Sequence, residues 1–317
     1  MRYIKDLSEG EKVNAVYLCR KKQSALTKAG KPYESLTLQD KTGTLDAKIW
    51  EPGSMGIDDF DELDYICVTG DITSFQGAKQ LSIKRLRVAA DGEYQPEDYL
   101  PCSPRDPQEM MEELKALIES VKAPYMRSLL TIFFENAEFV RQFRSHSAAK
   151  SVHHGYVGGL LEHTLCVTKN CDYLAKSYPF LDRDLLLTAA VFHDIGKLDE
   201  LSSFPQNDYT DQGQLLGHIM IGALRIGEKM DQIPDFPEVK KRELLHCILS
   251  HHGELEFGSP KKPAIAEAVA LSFADNLDAK LETMREALQH VPTTDLNWQG
   301  YNRLFDSNIR RTSQAEE

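Results

Sequence analysis

The chain of 317 residues is 41% hydrophobic and 27% charged, ordinary for a globular protein, and its length admits two domains. Its first residues, MRYIKDLSEG, have no apolar core, and its longest apolar run, residues 185–192, falls far short of the roughly 20 residues that cross a bilayer, so neither a secretory leader nor a helical anchor is expected and the protein reads as cytoplasmic. The net charge of −12 is uneven: 14 Lys/Arg stand against 13 Asp/Glu in residues 1–90, and 23 against 36 in the rest, so bulk acidity does not exclude a local basic groove.

Five runs rich in β-branched, aromatic and alternating residues predict strands at 12–21, 33–40, 44–51, 65–75 and 80–88. Turn signals separate them: Ala29-Gly30-Lys31-Pro32, Asp40-Lys41-Thr42-Gly43 and Gln76-Gly77-Ala78. Five short strands in residues 1–90 predict a small barrel of the OB type. Five acids cluster in one loop, DDFDELD (58–64), which leaves the rest of this region basic. Pro96, Pro101, Pro104 and Pro107 then fall without a period, which marks 91–107 as a linker.

From Gln108 the pattern turns helical. Apolar residues recur at three and four through 109–121, 126–143, 160–178, 183–198, 213–230, 239–253 and 264–290. The expected class is multidomain α and β: a five-stranded OB-like β-barrel, then an all-α domain over 108–310, with 311–317 a frayed tail. The apolar run MRSLLTIFFENAEFV suits a core or a subunit interface equally, so a homo-oligomer stays open. Six scattered cysteines without a CxxC pair fit buried thiols in a reducing compartment.

The chemistry-bearing residues concentrate in the helical part. His163, His193, His218, His246, His251 and His252 sit on or at the ends of apolar helices. The fragment VFHDIGKLDE ends one such helix on His193 and Asp194, with Lys197 a turn later, and Asp275 follows ALSFA on another. A single helical histidine is commonly a satisfied core residue. Several helices each offering one, together with aspartates that need a partner wherever they are buried, point to a metal. Mixed imidazole and carboxylate donors suit a transition metal such as Mn²⁺. Upstream, Gly158 and Gly159 are expected to break the chain before the helix bearing His163. His153 and His154 precede them, placed either to touch phosphate or to bond the helix start. Gly196 is expected to let the chain turn, Glu162 to be structural, and His146, His246 and His290 to be uninvolved.

The ordered set His163, His193-Asp194 and Asp275 resembles the ligand pattern of the HD-domain superfamily. That resemblance implies His163, His193, Asp194 and Asp275 around one divalent ion. His218 and His251 would serve a second ion, with Asp194 bridging and His252 either replacing His251 or lying behind it. It makes Asp194 and Lys197 the catalytic pair. The ions would be two, Mn²⁺ before Co²⁺, Fe²⁺ or Mg²⁺. Together with the barrel, SVHHGYVGGLLEHT and HDIGK resemble the YhaM-type 3′–5′ exoribonucleases. That family implies hydrolysis of single-stranded RNA, and possible cleavage of single-stranded DNA, to nucleoside 5′-monophosphates. Substrate contacts are then expected from His154 and Lys197 near the metals and from Trp50, Phe75, Lys48 and Lys84 on the barrel, with Tyr17, Tyr33, Arg20, Lys21, Lys79 and Arg85 as further candidates. Two rival readings keep part of this pattern: an HD nucleotide or cyclic-dinucleotide phosphohydrolase, and a non-catalytic nucleic-acid-binding protein. No GYP signature follows HDIGK, which disfavours the cyclic-dinucleotide class.

Overall fold

The computed structural model describes residues 2–75, 77–150, 154–289, 291–292 and 294–313. The chain divides into two compact units, Met1–Cys102 and Ser103–Glu317.

In the first unit, β1 (Lys12–Leu26), β2 (Pro32–Asp40), β3 (Gly43–Ile49), β4 (Tyr65–Phe75) and β5 (Ala78–Val88) close a barrel in the order β1-β2-β3-β5-β4. All neighbours are antiparallel except β3 and β5, whose parallel pairing is the Greek-key closure of an OB-fold. Alternation fills the interior with Leu36, Leu38, Ala47, Ile49, Ile66, Val68, Ile72 and Leu81. Tyr17, read as a stacking candidate, is fully buried among them and its hydroxyl points at the Arg2 carbonyl. Leu18 and Cys19 beside it are buried as well, so this part of β1 is covered on both faces and Tyr17 is core rather than a stacking surface.

β1 is five residues longer than the sequence suggested and bends at a bulge between Cys19 and Lys21. The Pro-containing stretch is not a free linker throughout. Tyr94 and Tyr99 pack on Tyr65, Gln39 donates to the Tyr99 carbonyl, and Tyr99 and Leu100 are buried, so residues up to Cys102 belong to the barrel unit. The aromatic side chains, invisible to a proline count, decide this.

The second unit comprises α1 (Pro107–Glu119), α2 (Pro124–Phe134), α3 (Ala137–Ser145), α4 (Gly159–Ser177), α5 (Arg183–Phe192), α6 (Lys197–Glu200), α7 (Asp211–Asp231), α8 (Glu238–Leu249) and α9 (Ala266–Leu288). The run 126–143 is two helices: Asn136 accepts the Phe139 N–H and restarts the chain as α3. Its apolar face is spent internally, with Met126, Leu129, Leu130, Phe133 and Phe134 all buried in the helical core. Helix α7 breaks at Gly217, whose φ of 71° only glycine adopts cheaply. The unit is not all helix to residue 310, because a two-residue hairpin, β6 (Tyr301–Asn302) and β7 (Ser307–Asn308), follows α9. The tail is not frayed from 311: Arg311 donates to the Val291 and Leu288 carbonyls, satisfying the end of α9. Among the described residues no helix is long and apolar enough to cross a membrane.

Candidate metal centre and barrel groove

Residues on or just beyond five helices, α4, α5, α7, α8 and α9, converge on Asp194. α5 is capped by Asp182 and buries Leu185–Phe192, so His193 and Asp194 leave its last turn inside the protein, fully and almost fully buried. α4 starts at Gly158, held at φ 83°, and contributes His163; α8 ends just before His251 and His252; α9 carries Asp275 in mid-helix.

Asp194 Oδ2 lies 3.4 Å from His163 Nε2 and 3.5 Å from His193 Nε2, while Asp275 Oδ1 lies 3.1 and 3.8 Å from the same two nitrogens. Asp194 Oδ1 faces the other way, 3.5 Å from His218 Nε2 and 3.6 Å from His251 Nε2. Two donor sets thus share one carboxylate: His163, His193 and Asp275 on one side, and His218, His251 and His252 on the other. His251 and His252 both lie within reach of this second set. His163 Nε2 and His193 Nε2 face each other at 3.1 Å.

The tautomers fit a cation. His193 Nδ1 donates to the Ala190 carbonyl at 2.8 Å, His251 Nδ1 to Ile248 and His252 Nδ1 to Phe257, both at 2.7 Å. A carbonyl only accepts, so each of these rings carries its proton on Nδ1 and turns a lone pair inward. Carboxylates orient the other two rings: Asp278 holds His163 Nδ1 at 2.7 Å and Glu200 holds His218 Nδ1 at 3.0 Å. Glu200 also accepts the His218 backbone N–H, where α7 restarts after Gly217. Asp194 Oδ1, His218 Nε2 and His251 Nε2 are buried without a hydrogen-bond partner. Buried polar atoms without partners are expensive, and inward imidazole and carboxylate groups of this kind suit a divalent metal.

The electrostatics agree. Burial pushes His193 and His252 down to about 4, so both rings are neutral at pH 7. Burial would raise the Asp194 and Asp275 carboxyls, but Lys197 and the imidazoles hold Asp194 well below the usual range and His163 does the same for Asp275. His163 is the exception among the rings. Burial alone would depress it, yet Asp194, Asp275 and Asp278 raise it well above its ordinary value. Lys197 Nζ forms a buried ion pair with Asp194 Oδ2 at 2.6 Å, the same oxygen that faces His163 and His193.

Other expectations need correction. His154 is not offered to a substrate: it is buried, with Nδ1 at 3.0 Å from the Tyr156 hydroxyl and Nε2 at 2.9 Å from Asp278, so it supports the carboxylate behind His163. Its neighbour His153 and the C-terminal His290 lie outside the described residues. Gly196 makes no left-handed turn; its φ is −65°, and its lack of a side chain serves a close approach to α7. Glu162 accepts from Tyr156, His146 bonds the Ser147 and Leu201 carbonyls, and His246 accepts the Ala264 N–H, all structural roles. Asp278 and Glu200 went unread. Asp278 lies three residues after Asp275, hence on the same face of α9, and that spacing was the available signal.

On the barrel, Trp50 and Phe75 are largely exposed and line one groove of about 720 Å³ with Tyr33, Lys28, Lys48 and Lys79. Trp50 and Tyr33 sit 5.3 Å apart, and Lys48 donates to Ser35 beneath them. Lys84 is outside this lining: it sits at the bulge of β5 between Ile83 and Arg85 and pairs with Asp71.

The HD domain family model matches residues 160–280, which span both donor sets. The 3′-5′ exoribonuclease YhaM of Bacillus velezensis is 34% identical over 286 residues, covering 89% of this chain and 89% of that protein. Its Bacillus subtilis counterpart is 34% identical over 291 residues with the same coverage, and that of Geobacillus sp. 34% identical over 283 residues. With architecture, donor set and whole-length similarity in accord, the chain belongs to the YhaM family of 3′-5′ exoribonucleases.

Proposed function

We propose that the protein is a metal-dependent 3′–5′ exoribonuclease that shortens single-stranded RNA, and secondarily single-stranded DNA, to nucleoside 5′-monophosphates. The observation that carries this reading is the pair of donor sets facing the two oxygens of Asp194. His163, His193, Asp194 and Asp275 would hold one ion, and Asp194, His218, His251 and His252 the other. Manganese is the favoured metal for so mixed a donor set. A divalent pair supplies a water that deprotonates near neutral pH and neutralises a phosphodiester, so no serine or cysteine nucleophile is needed.

The chain's own residues do the rest. Lys197 lies at the rim of the centre and lines the cavity opening onto it, so its amine meets a non-bridging phosphate oxygen and offsets the charge that develops there. Asp278 and Glu200 hold Nδ1 of His163 and His218 and so aim the Nε2 atoms of both rings at the centre. On the barrel, Trp50, Tyr33 and Phe75 stack bases while Lys48, Lys28 and Lys79 follow the backbone. Six free cysteines suit the reducing cytoplasm, where we place this activity.

The test is 5′-end-labelled RNA incubated with the protein and Mn²⁺, beside dATP and a cyclic dinucleotide. A ladder shortening from the 3′ end, with nucleoside 5′-monophosphates released, is expected. In the Asp194→Ala variant the rate falls more than about 100-fold and bound metal is lost. Turnover of the small nucleotides alone overturns the proposal in favour of a nucleotide phosphohydrolase.

A further inference from the structure

An enzyme that removes nucleotides one at a time from a 3′ end must admit one nucleotide beyond the scissile phosphate and refuse a continuing chain. Metal ligands cannot make that distinction, because they touch the same phosphate in either case. The distinction must lie in the shape of the space next to them.

One cavity, of about 460 Å³, opens directly onto the centre and lies in the size range of small-ligand pockets. His163, Lys197, His252 and Asp275 form its inner end. It then follows α9 past Asn276, Ala279 and Lys280 to Thr283. From Asp275 to Thr283 is eight residues, about 12 Å of helix. The remaining lining comes from two separate segments. Phe257, the exposed last residue of the short 3₁₀ turn Leu255–Phe257, offers an aromatic face on one side. Leu304, in the turn between β6 and β7, stands against the α9 end.

That turn is fastened in place. Lys280 Nζ donates to the Leu304 carbonyl at 2.9 Å and its ammonium lies 5.4 Å from the centre of the Phe305 ring. Tyr301 bonds Asp306 across the hairpin, and buried Ile309 with Arg311 anchors the segment behind it. A hairpin of two-residue strands has little stability of its own, so these ties to α9 are what hold Leu304 at the cavity.

We propose that this cavity is the site for the 3′-terminal nucleotide, and that the β6–β7 turn clasped by Lys280 is the end wall that confines cleavage to chain ends. The inference deepens the exoribonuclease reading and rests on it. The terminal base lies against Phe257, its ribose against Asn276 and its 5′-phosphate toward Lys197. A strand continuing past that nucleotide meets Leu304.

The experiment compares one RNA sequence as a linear strand and as a covalently closed circle, each with Mn²⁺. Wild-type protein is expected to shorten the linear RNA and leave the circle intact. In a Lys280→Ala, Leu304→Gly double variant, the ratio of circle cleavage to linear cleavage rises at least tenfold. A double variant with native metal content and linear turnover that spares the circle as completely as wild type overturns the proposal. A second variant, Ala279→Trp, fills the cavity from the exposed side of α9: it is expected to keep its metal and its affinity for RNA while losing at least tenfold in linear turnover. Undiminished turnover in it also overturns the proposal, even if the double variant fails to fold. Should wild-type protein itself leave the linear strand untouched, the exoribonuclease reading fails instead.

Discussion

Gly196 and Gly227 offer opposite outcomes from the same substitution. Both lie in or against α7, and neither has a positive φ. A Cβ built on Gly196 would stand 2.0 Å from the His218 carbonyl oxygen and 2.7 Å from the Gly222 nitrogen, both backbone atoms that cannot rotate away. Ordinary contact begins near 3.4 Å, so the Asp194–Lys197 turn and α7 must part by about 1.4 Å. Overpacking of this kind costs roughly 1–3 kcal/mol. At about 2–4 °C per kcal/mol for a unit of this size, Gly196→Ala should melt roughly 2–12 °C lower. The damage is directional, since the residues pushed apart are His218 and the turn bearing Asp194, now 3.5 Å apart across the second donor set. A misplacement near 1 Å can cost about 100-fold in rate, and loss of one ion should accompany it. A Cβ on Gly227 meets nothing within 4 Å, so Gly227→Ala should raise stability by about 0.4–1 kcal/mol through the unfolded chain and leave activity alone. The assay is a melt with metal content and RNA turnover measured on the same preparations. Gly196→Ala with native melting, metal content and rate would refute the claim that this contact sets the spacing of the centre.

Removing the carboxylate behind His163, by Asp278→Asn, should lower divalent-metal affinity about 10- to 100-fold in competition with a metallochromic indicator, and an unchanged affinity would deny it an orienting role. Metal binding should also release protons. His163 is raised well above its ordinary 6.5 in the metal-free protein, so its stabilising proton is fully present below that value and is lost as pH rises through the folded value. A cation needs the neutral ring, so affinity should increase with pH across that window, and calorimetry in buffers of different ionisation enthalpy should detect proton release at pH 7; none detected is the refuting result. Trp50→Ala should weaken binding of single-stranded RNA under chelating conditions by about 5- to 150-fold, the equivalent of 1–3 kcal/mol for one lost stack, with fluorescence anisotropy as the measure. Equal binding by the variant would move the contact elsewhere on the barrel.

Local pattern announced the barrel and most helices, because strand alternation and helical period act within a few residues. His163, His193, Asp194, His218, His251 and Asp275 were named together through their resemblance to the HD-domain pattern, on top of a local concentration of histidines and aspartates on apolar helices. What stayed hidden depends on contacts distant in sequence. Asp278 meets His163 across 115 residues and His154 across 124, so nothing near SVHHGYVGG indicates that His154 faces inward. Glu200 gains its role only because α7 restarts at His218. Tyr17 and Trp50 are both barrel aromatics, and only the register tells that one fills the core while the other stands exposed beside Tyr33.

Why apolar helices should end on histidine has a local answer. The last carbonyls of a helix have no intrahelical donor, and in a buried helix end water cannot supply one. His193 and His251 each donate Nδ1–H to the carbonyl three residues back, that of Ala190 in the last turn of α5 and of Ile248 in the last turn of α8. The same bond that finishes the helix fixes the tautomer and leaves Nε2 as a lone pair beyond the helix end. Both helices also direct the negative ends of their dipoles at the centre, which favours a cation there. A glutamine in place of His193 could still satisfy the carbonyl, but its flexible amide would present no fixed lone pair. The structural demand for a donor and the chemical demand for a ligand are therefore met together only by imidazole, and the helix terminus orients the ligand without any help from a second side chain.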